Sequence, residues 1–312
     1  METSNRQITL TPDLFEPVQR SAEEAEKITG ATVGFWGDAW RRLKRNRIAV
    51  AAGCVIILIL VLAVVGPWLT PYTSIGQVLD RQYKTPSLSG FWFGTDEFGR
   101  SMFDRVWVGT RVSLYIAALV TAMDMCVGMA YGALSGYYGG KVDNIMQRIV
   151  EILVGIPILI VAILTMLILE PGILSLTIAI GLTGWTSSAR LIRGQVLRLK
   201  EQEFFLASRS LGANTFRLIT KHLIPNVFYI LIITLMYTVP TAVFFEAFLS
   251  FIGLGIQPPA ASLGALINDG AHQMRFYPYM LIFPAAVLVT ITISFRLLGD
   301  GLRDALDPRM RQ

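Results

Sequence analysis

Six stretches of this 312-residue chain stay apolar for about twenty residues at a time, and nothing else in the sequence constrains it as tightly. Crossing ~30 Å of hydrocarbon at ~1.5 Å per residue takes about 20 helical residues. The runs fall at 48–69, 112–134, 149–169, 173–189, 227–248 and 279–298. A backbone in lipid must satisfy its own hydrogen bonds, so runs of this length read as helices. The fourth run is the most diluted, by Gly181, Gly184, Thr186, Ser187 and Ser188, small residues that also let helices approach closely. Charged residues make up only 16% of the chain, against about 25% in soluble domains. The reading is an all-α, multi-pass membrane protein with six transmembrane helices.

The net charge is +5. Its basic residues flank the apolar runs, which answers to membrane topology and excludes nucleic acid as a partner. With the N-terminus inside, 21 of the 27 Lys and Arg residues fall on the cytoplasmic side. The other 6 are Arg81, Lys84, Arg100, Arg105, Arg111 and Arg275. This predicts N-in and C-in. The first apolar run begins behind a long polar tail, so no cleavable signal peptide is read. Cys54 and Cys126 sit inside apolar runs and read as small hydrophobes, with no disulfide or metal cluster implied.

Residues 1–34 read as a cytoplasmic polar tail, with at most a short helix at 22–27. In 35–47, Phe35, Trp36, Trp40 and Leu43 recur at helical spacing opposite Arg41, Arg42, Lys44, Arg45 and Arg47. That pattern fits an amphipathic helix at the inner leaflet, and a plain basic flank is the alternative. Residues 70–111 form an outer loop. Within it Asp96, Glu97, Arg100, Asp104 and Arg105 at helical spacing predict a short salt-bridged amphipathic helix leading into the second span. A hydrolytic carboxylate pair is the rival there, and no nucleophile or base accompanies it.

Between the fourth and fifth runs, residues 199–226 read LKEQEFFLASRSLGANTFRLITKHLIPN. Phe204, Ala207, Ser208 and Leu211 share one helical face. Gly212 suits the left-handed conformation that ends a helix. Asn214 or Thr215 can cap a second helix with an apolar face of Phe216, Ile219 and Leu223, ending at Pro225. The prediction is two short helices joined at a glycine; a passive amphipathic surface loop is the plain alternative.

This segment resembles the cytoplasmic coupling motif of ABC importer permeases, a Glu-Ala-Ala followed by a glycine and then Leu-Pro. Here the leading positions hold Leu206, Ala207 and Ser208, the glycine is Gly212, and the end reads Leu223, Ile224, Pro225, Asn226. The motif glutamate is replaced by Leu206, with Glu203 three residues earlier as the candidate substitute. GTDEFGRSMFDRVWVGTRVSL at 94–114, YYGGKVDN at 137–144, FEAFLSFIGLGIQPPAASLG at 245–264 and LGDGLRDALDPR at 298–309 add to the likeness. Together they resemble the second permease of oligopeptide, dipeptide and nickel importers, most closely the oligopeptide branch.

The resemblance implies a type I ABC importer permease fold, with the permease domain over 112–300 and a cytoplasmic C-terminus at 301–312. It implies a bacterial or archaeal cell (inner) membrane. ATPase coupling would involve Glu203, Leu206, Ala207, Ser208, Arg209, Gly212, Ala213 and Pro225. The implied partners are a sister permease forming a heterodimer, two ABC ATPase subunits, an extracytoplasmic solute-binding protein, the lipid bilayer and a peptide substrate. ATP and Mg would be used by the ATPase subunits, with no cofactor bound by this chain. In agreement, no G-x-x-x-x-G-K-[ST] occurs, so energy must arrive from another subunit.

Asp124 lies mid-way along the second run, where a charge costs about 2.5–3.5 kcal/mol. It reads either as a cavity-lining acid for a peptide's amino group or lysine, or as a hydrogen-bonded acid at a helix contact. Glu246 falls near the outer end of its span, after a kink expected at Pro240. Beyond it Gly253, Gly255, Pro258 and Pro259 forbid a regular helix, so 251–278 reads as an outer or re-entrant gate segment. A plain outer loop is its alternative. His222 and His272 fall on opposite sides of the membrane and share no metal site. Rival functions are a dipeptide, nickel or other small-solute permease, an ion-coupled secondary transporter, and an intramembrane hydrolase. The last two lack an internal repeat or a nucleophile–base pair.

Overall fold

The computed structural model describes residues 34–88 and 90–306. The chain divides after Asp38 into a short N-terminal unit and a main body from Ala39. The polar tail at 1–33, with its expected helix at 22–27, and the end at 307–312 lie outside the described residues.

Helix α1, Phe35–Arg45, carries the aromatic and basic pattern, and the Lys44 ammonium stands 5.1 Å over the Trp40 ring. Asn46 breaks it and caps α2, Arg47–Val65, by accepting from the Ala49 N–H at 3.1 Å. Ala49, Ala52, Ile56, Ile59 and Ala63 form the buried stripe of α2, while Ile57 and Leu58 on the other faces are over half exposed. That outward apolar surface is what a lipid-facing helix presents. A 3₁₀ turn, Gly66–Trp68, ends the run.

The expected amphipathic helix at 96–105 does not form as such. Gly94 and Gly99 take φ of +78° and +71°, and Asp96 Oδ1 instead accepts from the Phe98 and Arg100 N–H groups at 2.9 Å, closing a turn. The Arg100 guanidinium still meets Asp96 at 2.6 Å, but inside this buried turn. Only then does Ser101 start helix α3, Met102–Tyr138, ten residues before the run read from hydropathy. Asp104 and Arg111 hid this start. Asp104 is buried because Thr70 donates to both its oxygens, at 2.8 and 2.9 Å. Arg111 donates to the Ala63 and Val64 carbonyls that end α2.

After Gly139 the third run proves to be two helices, α4, Gly140–Gly155, and α5, Ile158–Leu169, bent by 84°. Pro157 lacks an N–H and drives Ile156 to an extended φ/ψ of −85°/120°, so one straight helix is excluded. Helix α6 then runs through Ile173–Leu199, well past the apolar run at 173–189. Short α7, Glu203–Ser210, leads to α8, which is continuous over Thr215–Phe251. Helix α9, Leu263–Gln273, and α10, Tyr279–Leu306, complete the chain. Among the described residues the only β pairing is a lone bridge between Thr95 and Ser101.

Among the described residues, four helices are long and apolar enough to cross a membrane: α2 with its 3₁₀ turn, α3, α8 and α10. The bent α4–α5 pair makes a fifth if it counts as one span. The core is built on α3 and α6, whose backbones approach along Gly128, Gly132 and Gly136. A Cβ on Gly128 would meet the Ser188 Cβ at 2.8 Å, and one on Gly136 the Val196 Cβ at 2.9 Å. Glycines at every fourth position bring two helices together where lipid supplies no hydrophobic drive.

Candidate functional site

The 199–226 segment contains the predicted break. Helix α7 ends as Gly212 takes φ +80°, and the Ala213 N–H returns to the Ser208 carbonyl at 3.2 Å. Asn214, not Thr215, caps the next helix by accepting from the Arg217 N–H at 2.8 Å.

Two expectations are corrected. The second helix does not end at Pro225. A π-helical stretch, Leu218–Leu223, carries it into α8, with the Ile224 N–H bonded to the Ile219 carbonyl five residues back. The wider turn makes room for a proline ring that would otherwise strike the carbonyl four residues behind it. The buried face of the first helix is also a different one, while in the second Leu223 and Ile219 face the core as expected and Phe216 does not. Phe205, only 1% exposed, packs with Leu218, Leu223, Ile192 and Val196. Phe204, Leu206, Leu211 and Phe216 are exposed, Leu211 by 88%. Glu203, Ala207 and Arg209 are exposed as well, so the joint turns a mixed apolar and charged surface outward.

The joint is tied to the bundle from behind. Lys200, one residue past α6, donates to the Gly136 and Tyr137 carbonyls at 3.1 and 2.7 Å, ending α3. The Tyr137 hydroxyl donates to Thr215 at 3.0 Å. Burial, and then the nearby Arg209, hold the Lys200 ammonium below its ordinary pKa.

Between α3, the α4–α5 bend, α6 and α8 lies a half-open cavity of about 760 Å³. Pro157, Ser187 and Tyr237 stand on its walls, and Asp124 of α3 lines it while only 4% exposed. Thr238 of α8 donates to Asp124 Oδ2 at 2.8 Å. Asp124 thus bonds across a helix contact and also lines the cavity. The polar residues that dilute α6 also line this space, among them Thr183, Ser187 and Ser188.

Glu246 is wholly buried. Ser113 donates to its Oε2 at 2.5 Å and Ser250 to its Oε1 at 2.8 Å, while the Ser113 oxygen accepts from the Leu263 N–H at 3.3 Å. One carboxylate thus knots α3, α8 and the start of α9. The 251–278 segment is irregular only at first, around Gly253 at φ +86°, Gly255, Pro258 and Pro259, and then forms α9. Sequence reading missed Ser113, which had no visible partner 133 residues away. It also missed the Gly128, Gly132 and Gly136 ridge, although its spacing stands in the sequence.

Membrane-length helices, a half-open cavity between them and a helix–glycine–helix joint feeding one of them define a transport permease. Residues 128–312 match the family described as binding-protein-dependent transport system inner membrane component, and residues 34–86 match the N-terminal TM domain of oligopeptide transport permease C. The chain is 44% identical to the dipeptide transport system permease protein DppC of Bacillus subtilis strain 168, over 94% of this chain and 92% of that one. It is 43% identical to the oligopeptide transport system permease protein OppC of the same strain, over 96% and 98%. A solved structure of the MetNI methionine ABC transporter, in inward-facing conformations, shares the fold with a TM-score of 0.50 at 21% identity, covering 64% of this chain and 94% of that one. The chain belongs to the family of binding-protein-dependent transport system inner membrane components, as an ABC importer permease of the oligopeptide and dipeptide type.

Proposed function

We propose that this chain forms half of the translocation pathway of an ATP-driven oligopeptide importer in the bacterial cell membrane. It works as a non-catalytic subunit beside a sister permease, two ATPase subunits that use ATP and Mg, and an extracytoplasmic solute-binding protein. The observation that carries the reading is the joint at Gly212. Its α7 side is anchored by Phe205, its far side is continuous with a membrane-length helix, and its outward surface of Phe204, Leu206, Leu211 and Phe216 is uncovered. A push on α7 is transmitted to α8 because no flexible linker intervenes, and rocking of packed helices then opens the cavity to alternate sides.

In this reading Glu203, Leu206, Ala207, Ser208, Arg209, Gly212 and Ala213 meet the ATPase, and Pro225 supports the continuous turn above them. Helix α6 is the sixth crossing, its polar face spent on the cavity, and both termini lie inside, as the distribution of Lys and Arg requires. Gly253, Gly255, Pro258 and Pro259 form the outer gate segment, which Glu246 holds in place without lining the path. A relative named for dipeptide transport is as near as one named for oligopeptides, so a dipeptide importer is the second reading. The long polar N-terminal tail favours the first.

The test uses the whole complex in proteoliposomes, with ATP-driven uptake of a labelled oligopeptide as the readout. Gly212→Val places a β-branched residue at φ +80° and should lower uptake several-fold while membrane insertion is unchanged. Wild-type uptake together with wild-type stimulated ATPase activity would refute the coupling role.

A further inference from the structure

Among the described residues, Asp124 is the one charged residue lining the 760 Å³ cavity, whose other walls are apolar side chains, hydroxyls and one tyrosine. No lysine, arginine or histidine of the described residues shares that lining. Its carboxylate is half satisfied: Oδ2 accepts from Thr238, whereas Oδ1 is buried with no hydrogen-bond partner among the described residues. The Ser188 hydroxyl stands beside the carboxylate as a second neutral group.

Asp124 sits about 33 Å along α3 from its Met102 end and about 21 Å from its Tyr138 end, well inside the span. An acid at such depth demands a partner or water. Its fixed neighbours are neutral hydroxyls, and the carboxylate belongs to a residue on the wall of the cavity. A cation delivered through that cavity is the counter-ion this geometry lacks.

We propose that Asp124 is a transient ammonium site in the translocation pathway, its carboxylate meeting the protonated amine of a passing solute as the helices rock and uncover Oδ1. This rests on the importer reading and narrows its substrate class to solutes that carry a primary ammonium, as a peptide with a free N-terminus does. Thr238 acts as a positioning residue, fixing the carboxylate through Oδ2 while Oδ1 is left without a fixed donor. The site has one charge and one fixed hydrogen bond, which suits a pathway that must release what it meets.

The first experiment needs no transport. In the assembled complex, Cys54 and Cys126 are replaced by serine and a reporter thiol is placed by Ser187→Cys, an exposed cavity-lining position. The rates of modification by a cationic and an anionic methanethiosulfonate reagent are then compared. Asp124→Asn should lower the cationic-to-anionic rate ratio by about fivefold or more, the scale set by one unit charge a few ångströms away in water. An unchanged ratio would mean that Asp124 carries no charge into the cavity, and the proposal would fail.

The second arm measures ATP-driven uptake of a free-amine oligopeptide and its N-acetylated form, each as the ratio of Asp124→Asn to wild type, so that the receptor's own preference cancels. A selective loss for the free amine supports the site; equal losses for both forms overturn it. Absence of any peptide uptake by wild type would defeat the importer reading instead, and the thiol measurement would still decide the charge of the cavity.

Discussion

The Arg193 guanidinium of α6 grips the Asp143 carboxylate of α4 with two parallel hydrogen bonds, Nε to Oδ1 and NH2 to Oδ2, each 2.5 Å long. Ser135 of α3 donates to the same Oδ1 at 2.5 Å. Three helices thus meet at one acid, and Asp143 and Val150 are the buried residues of α4.

Removing the arginine should therefore loosen α4 far more than removing the pair. Arg193→Ala leaves Asp143 buried and unpaired, at a cost of about 3 kcal/mol, near the low end for buried pairs because the Arg193 side chain remains 30% exposed. Asp143→Asn combined with Arg193→Ala should recover a good part of that loss. Melting in detergent, run as a double-mutant cycle, is the check; additive single losses would dissolve the pair as a unit.

The knot at Glu246 makes Ser113 costlier than an ordinary serine. Ser113→Ala removes a donor to the carboxylate and also the acceptor for the Leu263 N–H, and should cost about 2 kcal/mol. Ser250→Ala removes one bond and should cost about 1 kcal/mol. Unfolding in graded denaturing detergent would rank them, and a Ser113→Ala protein as stable as wild type contradicts the assignment.

The α3–α6 contact predicts opposite outcomes for two helical glycines. A Cβ on Gly132 would meet the Ile192 Cβ at 3.0 Å and the Arg193 N at 3.1 Å, so Gly132→Val should cost about 1–3 kcal/mol or more through overpacking. Nothing lies within 4 Å of a Cβ on Gly184, so Gly184→Ala should be neutral or add up to about 1 kcal/mol. Folded yield on size-exclusion chromatography separates the two, and equal yields would argue against close packing at Gly132.

Lys200 supplies a pH dependence. Its folded pKa lies below the ordinary lysine value, through burial and then through Arg209, so in the window just below that ordinary value the unfolded chain holds more protons. The penalty is in full force below the folded pKa and is relieved as pH rises through it. Arg209→Gln moves the folded pKa back up and should flatten this alkaline gain. Melting temperatures from neutral pH to the upper lysine range provide the measurement; identical slopes for both proteins would remove Arg209 as a cause.

Elements with a one-dimensional signature are legible in the residue order. Apolar runs locate α2, α8 and α10, and Gly212 with Asn214 marks the joint, because φ > 0 and a helix cap each select a few residue types. Charge misleads at the start of α3. Asp104 and Arg105 look like the face of a separate surface helix until Thr70 is seen to donate to the first and Asp96 to stand 3.5 Å from the second, both buried. Pro157 and Pro225 show the same limit from the other side: one breaks a span by 84°, while the other is absorbed by a π turn. A proline announces a missing hydrogen bond, and the surrounding packing decides how the helix answers.

Residue order alone determined that this chain must lie in a membrane as helices, that the 199–226 segment turns at Gly212, and which family it joins, since all three depend on composition and local spacing. Tertiary structure alone decided that Phe205 points inward while Phe204 and Leu206 face out, that Ser113 finds Glu246, and that Asp124 faces a cavity with one oxygen unclaimed. Burial and pairing are properties of what lies across the gap. Residues more than a hundred positions apart carry no local trace of each other until the helices pack.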